Sequence, residues 1–263
     1  MTDPIEEPAD FGEQLPDAKG QRLAKVIARS GLCSRREAER YIEQKRVQVD
    51  GKVIISPALN VTLDQIIVVD GQVIPDIEPT KLWRYHKPRG CLTTRHDPEG
   101  RATIYEYLPR QLQRLNAVGR LDFNSEGLLL LTNDGELVRQ LTLPANQWLR
   151  RYRVRVHGQV DQGSLQRLQE GLTIDGIQYQ TEEVTLDRQQ GENAWLTISL
   201  REGKNREIRR LCEFFGWEVS RLLRLSFGPF QLGNLLKGEA EQIPGRVLRD
   251  QLGINTKIKT KKK

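Results

Sequence analysis

The sequence is poor in the residues that build disulfide frameworks and metal centres. Its three cysteines, Cys33, Cys91 and Cys212, stand far apart and form no Cys-x-x-Cys pair. An odd, scattered set excludes a disulfide scaffold, argues against structural zinc and points to a reducing compartment. The three histidines, His86, His96 and His157, lack metal-ligand spacing, so no metal is expected. No apolar run reaches the roughly 18 residues a membrane helix needs. The N-terminus is acidic and polar rather than basic and then apolar, unlike a secretory signal. A cytoplasmic protein without a membrane segment is expected. What the chain has in excess is positive charge: 41 Lys and Arg against 35 Asp and Glu, a net +6 over 263 residues. That balance permits an anionic partner without naming one. It is unevenly spread. Residues 2–17 carry only acids, and 257–263 are nearly all lysine. A disordered acidic leader over 1–19 and a disordered basic tail over 249–263 are expected.

Between the tails the pattern changes. Residues 21–44 read as two helices, with Leu23, Val26 and Ile27 at helical spacing. Ser34 and Glu37 form a capping-box signature for the second helix. Arg36 and Arg40 share a face of it, with Arg35 beside them. Residues 46–49, Asp50-Gly51 and residues 52–55 read as a hairpin, and a second Asp-Gly turn follows at Asp70-Gly71. Pro75 to Thr80 reads as a linker. Two helices on a small hairpin sheet define a module over 20–76. The strings Arg22-Leu23-Ala24-Lys25, Ser34-Arg35-Arg36-Glu37-Ala38 and Val47-Gln48-Val49-Asp50-Gly51 resemble the small RNA-binding module named after small-subunit ribosomal protein four. The resemblance implies RNA contacts by Arg22, Lys25, Arg35, Arg36 and Arg40. A solvated basic helix face is the plainer alternative.

Residues 77–80 read as the linker proper, and 81–248 as a larger domain. Its centre is Gly119-Arg120-Leu121-Asp122, followed by Gly127, four leucines (Leu128 to Leu131) and the turn Asn133-Asp134-Gly135. Four leucines between turn residues read as a strand buried on both faces. Asp122 therefore sits in a loop held by a rigid element, where a scaffold places working side chains; an Asp that only turns the loop is the structural alternative. Residues 148–157 alternate, with Tyr152, Val154 and Val156 on one face and Arg151, Arg153 and Arg155 on the other. A strand over 179–187 and another over 194–201 follow. In Glu202-Gly203-Lys204-Asn205-Arg206-Glu207-Ile208-Arg209-Arg210, a glycine turn opens a helix. Ile208, Leu211, Cys212 and Phe215 form its apolar stripe. Arginines near a helix start oppose its dipole, which a carboxylate or a nucleic-acid phosphate would compensate; an exposed basic face paired with Glu207 and Glu213 is the plainer alternative. Strands and helices alternate irregularly with several hairpins. The fold class is therefore α+β, the small module plus a domain with a mixed, mainly antiparallel sheet.

Three motifs in order resemble the ribosomal RNA pseudouridine synthases of the small-subunit-A and large-subunit-B group. They are Gly119 to Asp122 with Gly127 to Gly135, then Arg151-Tyr152-Arg153-Val154, then Glu202 to Arg210. Residues 97–101 and 219–224 look closer to the large-subunit-B branch. Lys204 departs from the arginine expected there and keeps the charge. The resemblance implies isomerisation of a uridine to pseudouridine without metal or cofactor. It assigns Asp122 as nucleophile or base at the sugar, Tyr152 as the stacking ring, and Arg209 as the ion-pair partner of Asp122. Arg120, Lys204, Arg206 and Arg210 are expected to contact RNA. The expected partner is ribosomal RNA, most simply 23S, or a pre-ribosomal particle, bound by a monomer. Alternatives are a small-subunit target, a non-catalytic assembly protein that binds RNA, or a glycosidic hydrolase using Asp122 and Glu126 as paired acids.

Overall fold

A computed structural model describes residues 20–254, so the acidic leader and the lysines of 257–263 lie outside the described residues. The chain divides into two compact units, with the break between Glu78 and Pro79.

In the smaller unit, α1 (Leu23–Arg29) packs beside α2 (Arg35–Glu43). The Ser34–Glu37 capping box forms in both directions: Ser34 Oγ accepts from Glu37 N at 3.3 Å, and Glu37 Oε2 accepts from Ser34 N at 3.0 Å. Strands β1 (Val47–Val49), β2 (Lys52–Ile54), β3 (Ile67–Val69) and β4 (Gln72–Val73) make an antiparallel sheet in the order β2-β1-β3-β4. One apolar cluster joins helices and sheet through Leu23, Ile27, Ile42, Val47 and Val69. Ile77 also packs on that cluster, so the stretch expected as a linker is partly taken up by the small unit.

The larger unit is built on a nine-stranded mixed sheet. Its strands are β5 (Leu82–Lys87), β6 (Asn116–Val118), β7 (Glu126–Thr132), β8 (Arg150–His157), β11 (Glu183–Gln190), β12 (Asn193–Leu200), β13 (Glu218–Phe227), β14 (Phe230–Gln231) and β15 (Ala240–Gln242). The main order is β11-β12-β8-β13-β7-β5-β15, with β14 on β13 and β6 on β7. Every pairing is antiparallel except β13 with β7. The four leucines lie in β7, whose residues are all buried. Leu128 and Leu130 enter one apolar cluster, Leu129 and Leu131 the cluster on the opposite side. This is the two-faced burial that a continuous apolar run predicts. Helices α3 (Ile104–Tyr107), α4 (Gly135–Thr142), α5 (Gln162–Glu170) and α6 (Glu207–Phe214) complete the domain with a small hairpin, β9 (Leu172–Ile174) and β10 (Ile177–Tyr179).

Two expectations change. The strand expected over 179–187 is split: Tyr179 ends β10 and β11 starts at Glu183. Thr181 between them is buried and donates to Leu168 O at 2.9 Å, which turns the chain. Of the disordered tail expected over 249–263, residues 249–252 are instead the end of α7 (Gly245–Leu252), with Leu248 buried and Gly253 as a left-handed cap, and 255–263 lie outside the described residues. No helix among the described residues is long and apolar enough to cross a membrane.

Candidate active site

Asp122 lies in the loop between β6 and β7, and backbone contacts pin that loop from two sides. Gly90 N donates to Phe123 O at 2.8 Å, and Thr93 Oγ1 donates to Leu121 O at 2.9 Å. The strongest tie is Lys87, the last residue of β5, which is fully buried. Its ammonium donates to Pro88 O at 2.9 Å, Asp122 O at 3.1 Å and Ser125 O at 3.0 Å. A buried ammonium must find such partners. Burial lowers the Lys87 pKa, and the nearby Cys91, Asp122 and Glu126 oppose the shift. Replacing Lys87 with Met keeps the stem and removes all three donated bonds: Ser125 O loses its donor, while Asp122 O keeps only Ser125 N and Pro88 O only the weak Cys91 Sγ donor. This should cost roughly 2–4 kcal/mol, read as a lower urea midpoint, and it should reduce turnover because the Asp122 backbone is no longer fixed. A variant with unchanged midpoint and turnover would show that the loop holds itself.

The loop opens onto a cavity of about 520 Å³, within the range of small-ligand sites. Asp122, Tyr152, Arg120, Lys204 and Arg206 all line it. Tyr152 is half-buried and touches the apolar clusters on both its sides. Its phenol ring is thus wedged between two packed regions. Arg209 is buried on α6 beside the loop. It does not close the expected direct ion pair with Asp122. Its Nη2 donates to Asn124 O at 3.1 Å and its Nη1 to Val219 O at 3.4 Å, and Nε has no acceptor. The two backbone carbonyls hold the guanidinium short of the carboxylate. Asp122 still acts on it through charge: burial and Arg206 lower the Arg209 pKa, and Asp122 pushes it back up. The carboxylate and the arginine therefore act on each other through charge, and the guanidinium is bonded to the same loop at Asn124.

A family model for RNA pseudouridylate synthase matches residues 81–214, the stretch that contains this whole loop and α6. The chain belongs to the RNA pseudouridylate synthase family. A model of the S4 domain matches residues 21–67, within the small unit. The chain is 46% identical over 228 residues to an RNA pseudouridine synthase of Rickettsia felis, covering 87% of this chain and 99% of that one. It is 41% identical over 256 residues to the ribosomal large subunit pseudouridine synthase B of Pasteurella multocida, covering 94% and 74%. A crystal structure of a pseudouridylate synthase superposes with a TM-score of 0.61 at 26% identity, covering 88% of this chain and 99% of that one. The mixed-sheet fold is shared.

The synthase carries a second acid in the cavity wall, Glu207, which the sequence offered only as a surface partner for the helix arginines. Glu207 opens α6, is buried, and its Oε2 accepts from Lys204 N at 2.9 Å. Burial, followed by its hydrogen bond with Glu202, pushes its pKa up to about 8. Glu202 goes the other way. Against its burial, hydrogen bonds from Glu207 and Lys204 hold its pKa down, and Lys204 pairs with its carboxylate. The proton therefore sits on Glu207 and is donated to Glu202. The folded state keeps this proton where the unfolded state has shed it, so the stabilisation is full below the unfolded value near 4.5 and is lost as pH rises through about 8. Wild-type stability should fall across that window by up to about 1.4 kcal/mol per pH unit. Glu207→Gln keeps a donor toward Glu202 and should flatten the slope; urea midpoints at several pH values check this, and parallel curves for the two proteins would refute it.

The other expected RNA-contacting residues separate into two groups. Arg120 and Arg206 are exposed at the cavity with Lys204, whereas Arg210 turns away and its Nη1 donates to the Tyr179 hydroxyl at 3.3 Å. In the small unit, Arg35 pairs with Glu39 at 3.1 Å and Arg40 with Glu37 at 3.9 Å, both exposed. Arg36 is exposed on the same helix, Lys25 is half-buried, and Arg22 donates to Ala58 O. Arg150 and Phe227, which no motif singled out, and Arg224, read only as part of the branch-marking string 219–224, also line the synthase cavity.

Proposed function

We propose that this synthase converts a specific uridine of large-subunit ribosomal RNA, the 23S species, into pseudouridine. The observation that carries the reading is one cavity holding a fixed carboxylate, a wedged tyrosine and a rim of cations. The reaction is an isomerisation. The bond from the anomeric carbon to a ring nitrogen breaks, the uracil turns, and a carbon–carbon bond forms to the same sugar. Asp122 is the carboxylate that acts on the ribose, as nucleophile at the anomeric carbon or as base at its neighbour. Arg209 donates to Asn124 O, two residues along the same loop, and Asp122 acts on its guanidinium through charge. Tyr152 stacks on the extruded uracil; a base leaving its stack costs a few kcal/mol, and a ring returns on the order of 1–3 kcal/mol.

The large-subunit target is supported by the name of the Pasteurella multocida relative and by residues 97–101 and 219–224, which follow that branch. The small unit, with Arg22, Lys25, Arg35, Arg36 and Arg40, is the docking module, and the substrate is ribosomal RNA or a pre-ribosomal particle. The synthase works as a monomer in the cytoplasm, where that RNA is assembled. Pseudouridine mapping of both ribosomal RNAs with and without the gene tests this. One 23S position should revert to uridine in the deletion. Loss at a 16S position would give the small-subunit alternative, and unchanged maps would leave an RNA-binding assembly protein.

A further inference from the structure

Two arginines to which the sequence assigned no role at the site, Arg150 and Arg224, share an environment that calls for a ligand. Arg224 and Tyr152 are cross-strand partners in β13 and β8. Arg150 and Phe227 are partners in the same pair of strands. The Arg150 Cζ lies 4.8 Å from the Phe227 ring centroid and the Arg224 Cζ lies 5.4 Å from it. Two guanidiniums therefore share one ring and one cavity with Asp122.

Neither is neutralised by the protein. Arg224 is only 3% exposed; its Nε donates to Leu128 O at 2.7 Å, and its Nη2 is buried without an acceptor. Arg150 Nη1 donates to the carbonyl oxygens of Trp148 and Arg201 at 2.9 Å and of Glu202 at 3.3 Å. Among the described residues, neither arginine pairs with a carboxylate. Burial lowers the Arg150 pKa, Tyr152 opposes the shift and Arg224 adds repulsion. Glu207 is the acid that acts on Arg150 through charge, but its raised pKa keeps it protonated at neutral pH. Buried charges in proteins are ordinarily paired, because leaving one uncompensated costs several kcal/mol. Here two like charges stand together with an open donor.

We propose that Arg150 and Arg224 form an anion subsite in the cavity wall beside Tyr152, which takes a phosphodiester group of the RNA strand that carries the target uridine. A guanidinium fork matches phosphate oxygens in pairs, and each nucleotide of a flipped strand brings one such group. The subsite would anchor the backbone while the base lies against Tyr152. The ligand assignment rests on the pseudouridine reading; the anion subsite itself does not.

The test uses the full chain and inorganic phosphate. Phosphate should raise the melting temperature of wild type and of D122N by a common increment, and both R224Q and R150Q should lose that part of the shift. Arg150 is only half-buried, so R150Q answers the question if R224Q folds poorly. On ribosomal RNA fragments, each variant should lower the slope of log Kd against log salt by about 0.7, the value for one single-strand phosphate contact, while R224K retains it. An equal phosphate shift in wild type and both variants, with unchanged salt slopes, overturns the subsite. Pseudouridine mapping runs beside it. Arginine-dependent phosphate binding without pseudouridine would remove the activity and leave the subsite, and pseudouridine with arginine-independent phosphate binding would do the reverse.

Discussion

Asp122→Asn should abolish pseudouridine formation, by at least on the order of 10⁴-fold, while RNA affinity stays within a few-fold of wild type. The expectation follows from how the residue is held. The ties to the Asp122 loop are made by backbone atoms: Lys87 on the Asp122 and Ser125 carbonyls, Gly90 on Phe123, Thr93 on Leu121. The Asp122 side chain is free of them, so the amide leaves the loop standing and removes only the nucleophilic or basic oxygen. On the proposed reading, RNA affinity comes from cations elsewhere: Arg120, Lys204 and Arg206 at the cavity and the basic helix of the small unit. Tritium release from RNA labelled at uracil C5, with filter binding on the same preparation, separates the two quantities. Release at the wild-type rate would remove Asp122 from the chemistry. A parallel loss of binding would place the carboxylate in substrate recognition instead.

Gly127→Ala should destabilise the larger unit by roughly 3 kcal/mol or more. Gly127 follows the Asp122 loop at the start of β7 with φ +106°, a conformation that carries a cost of order 1–3 kcal/mol for other residues. An added Cβ would lie 2.4 Å from Arg224 O and 2.6 Å from Arg224 N. Both are backbone atoms of β13, so no side chain can swing aside, and overpacking of this kind costs a further 1–3 kcal/mol or so. The contact is the parallel pairing of β7 with β13, Leu223 with Glu126 and Arg224 with Gly127. It joins the half of the sheet that carries Asp122 to the half that carries Tyr152. For a domain of this size each kcal/mol lowers the melting temperature by about 2–4 °C, so calorimetry should show a drop of about 6–12 °C. Turnover should fall well below the new melting point, because Asp122 and Tyr152 lose their common frame. A melting curve like wild type would mean that the two strands can separate at no cost.

Much of this was legible in the chain, and the boundary between what was and was not is physical. The Ser34–Glu37 capping box is a local device, three residues apart, and forms as its spacing predicts. The four leucines need only burial on both faces to become a strand, and β7 supplies it. The cavity brings Asp122, Tyr152, Arg120, Lys204 and Arg206 together, as the order of the three motifs implied. What escaped depends on contacts distant in sequence. Lys87 looks like one more surface cation until β5 ends inside the domain and the carbonyls of a loop 35 residues away surround it. Arg224 enters the sequence only as the end of a branch-marking string, and its bond to Leu128 O, 96 residues away, comes from the parallel pairing. Glu207 sits in a string of charges, and only burial against Glu202 makes it neutral. The direct Asp122–Arg209 pair failed for a related reason, since two backbone carbonyls compete for the guanidinium. The extra turn of helix past Leu248 has no motif and packs through Leu248, with Val247, Leu252 and Ile254 beside it.

The most direct measurement uses purified protein and unmodified 23S RNA made by transcription, mapped at nucleotide resolution after incubation. A single uridine should become pseudouridine, with no free uracil released and no conversion by the Asp122→Asn protein. Failure to convert any uridine, or release of the base from the sugar, would contradict the account at its centre.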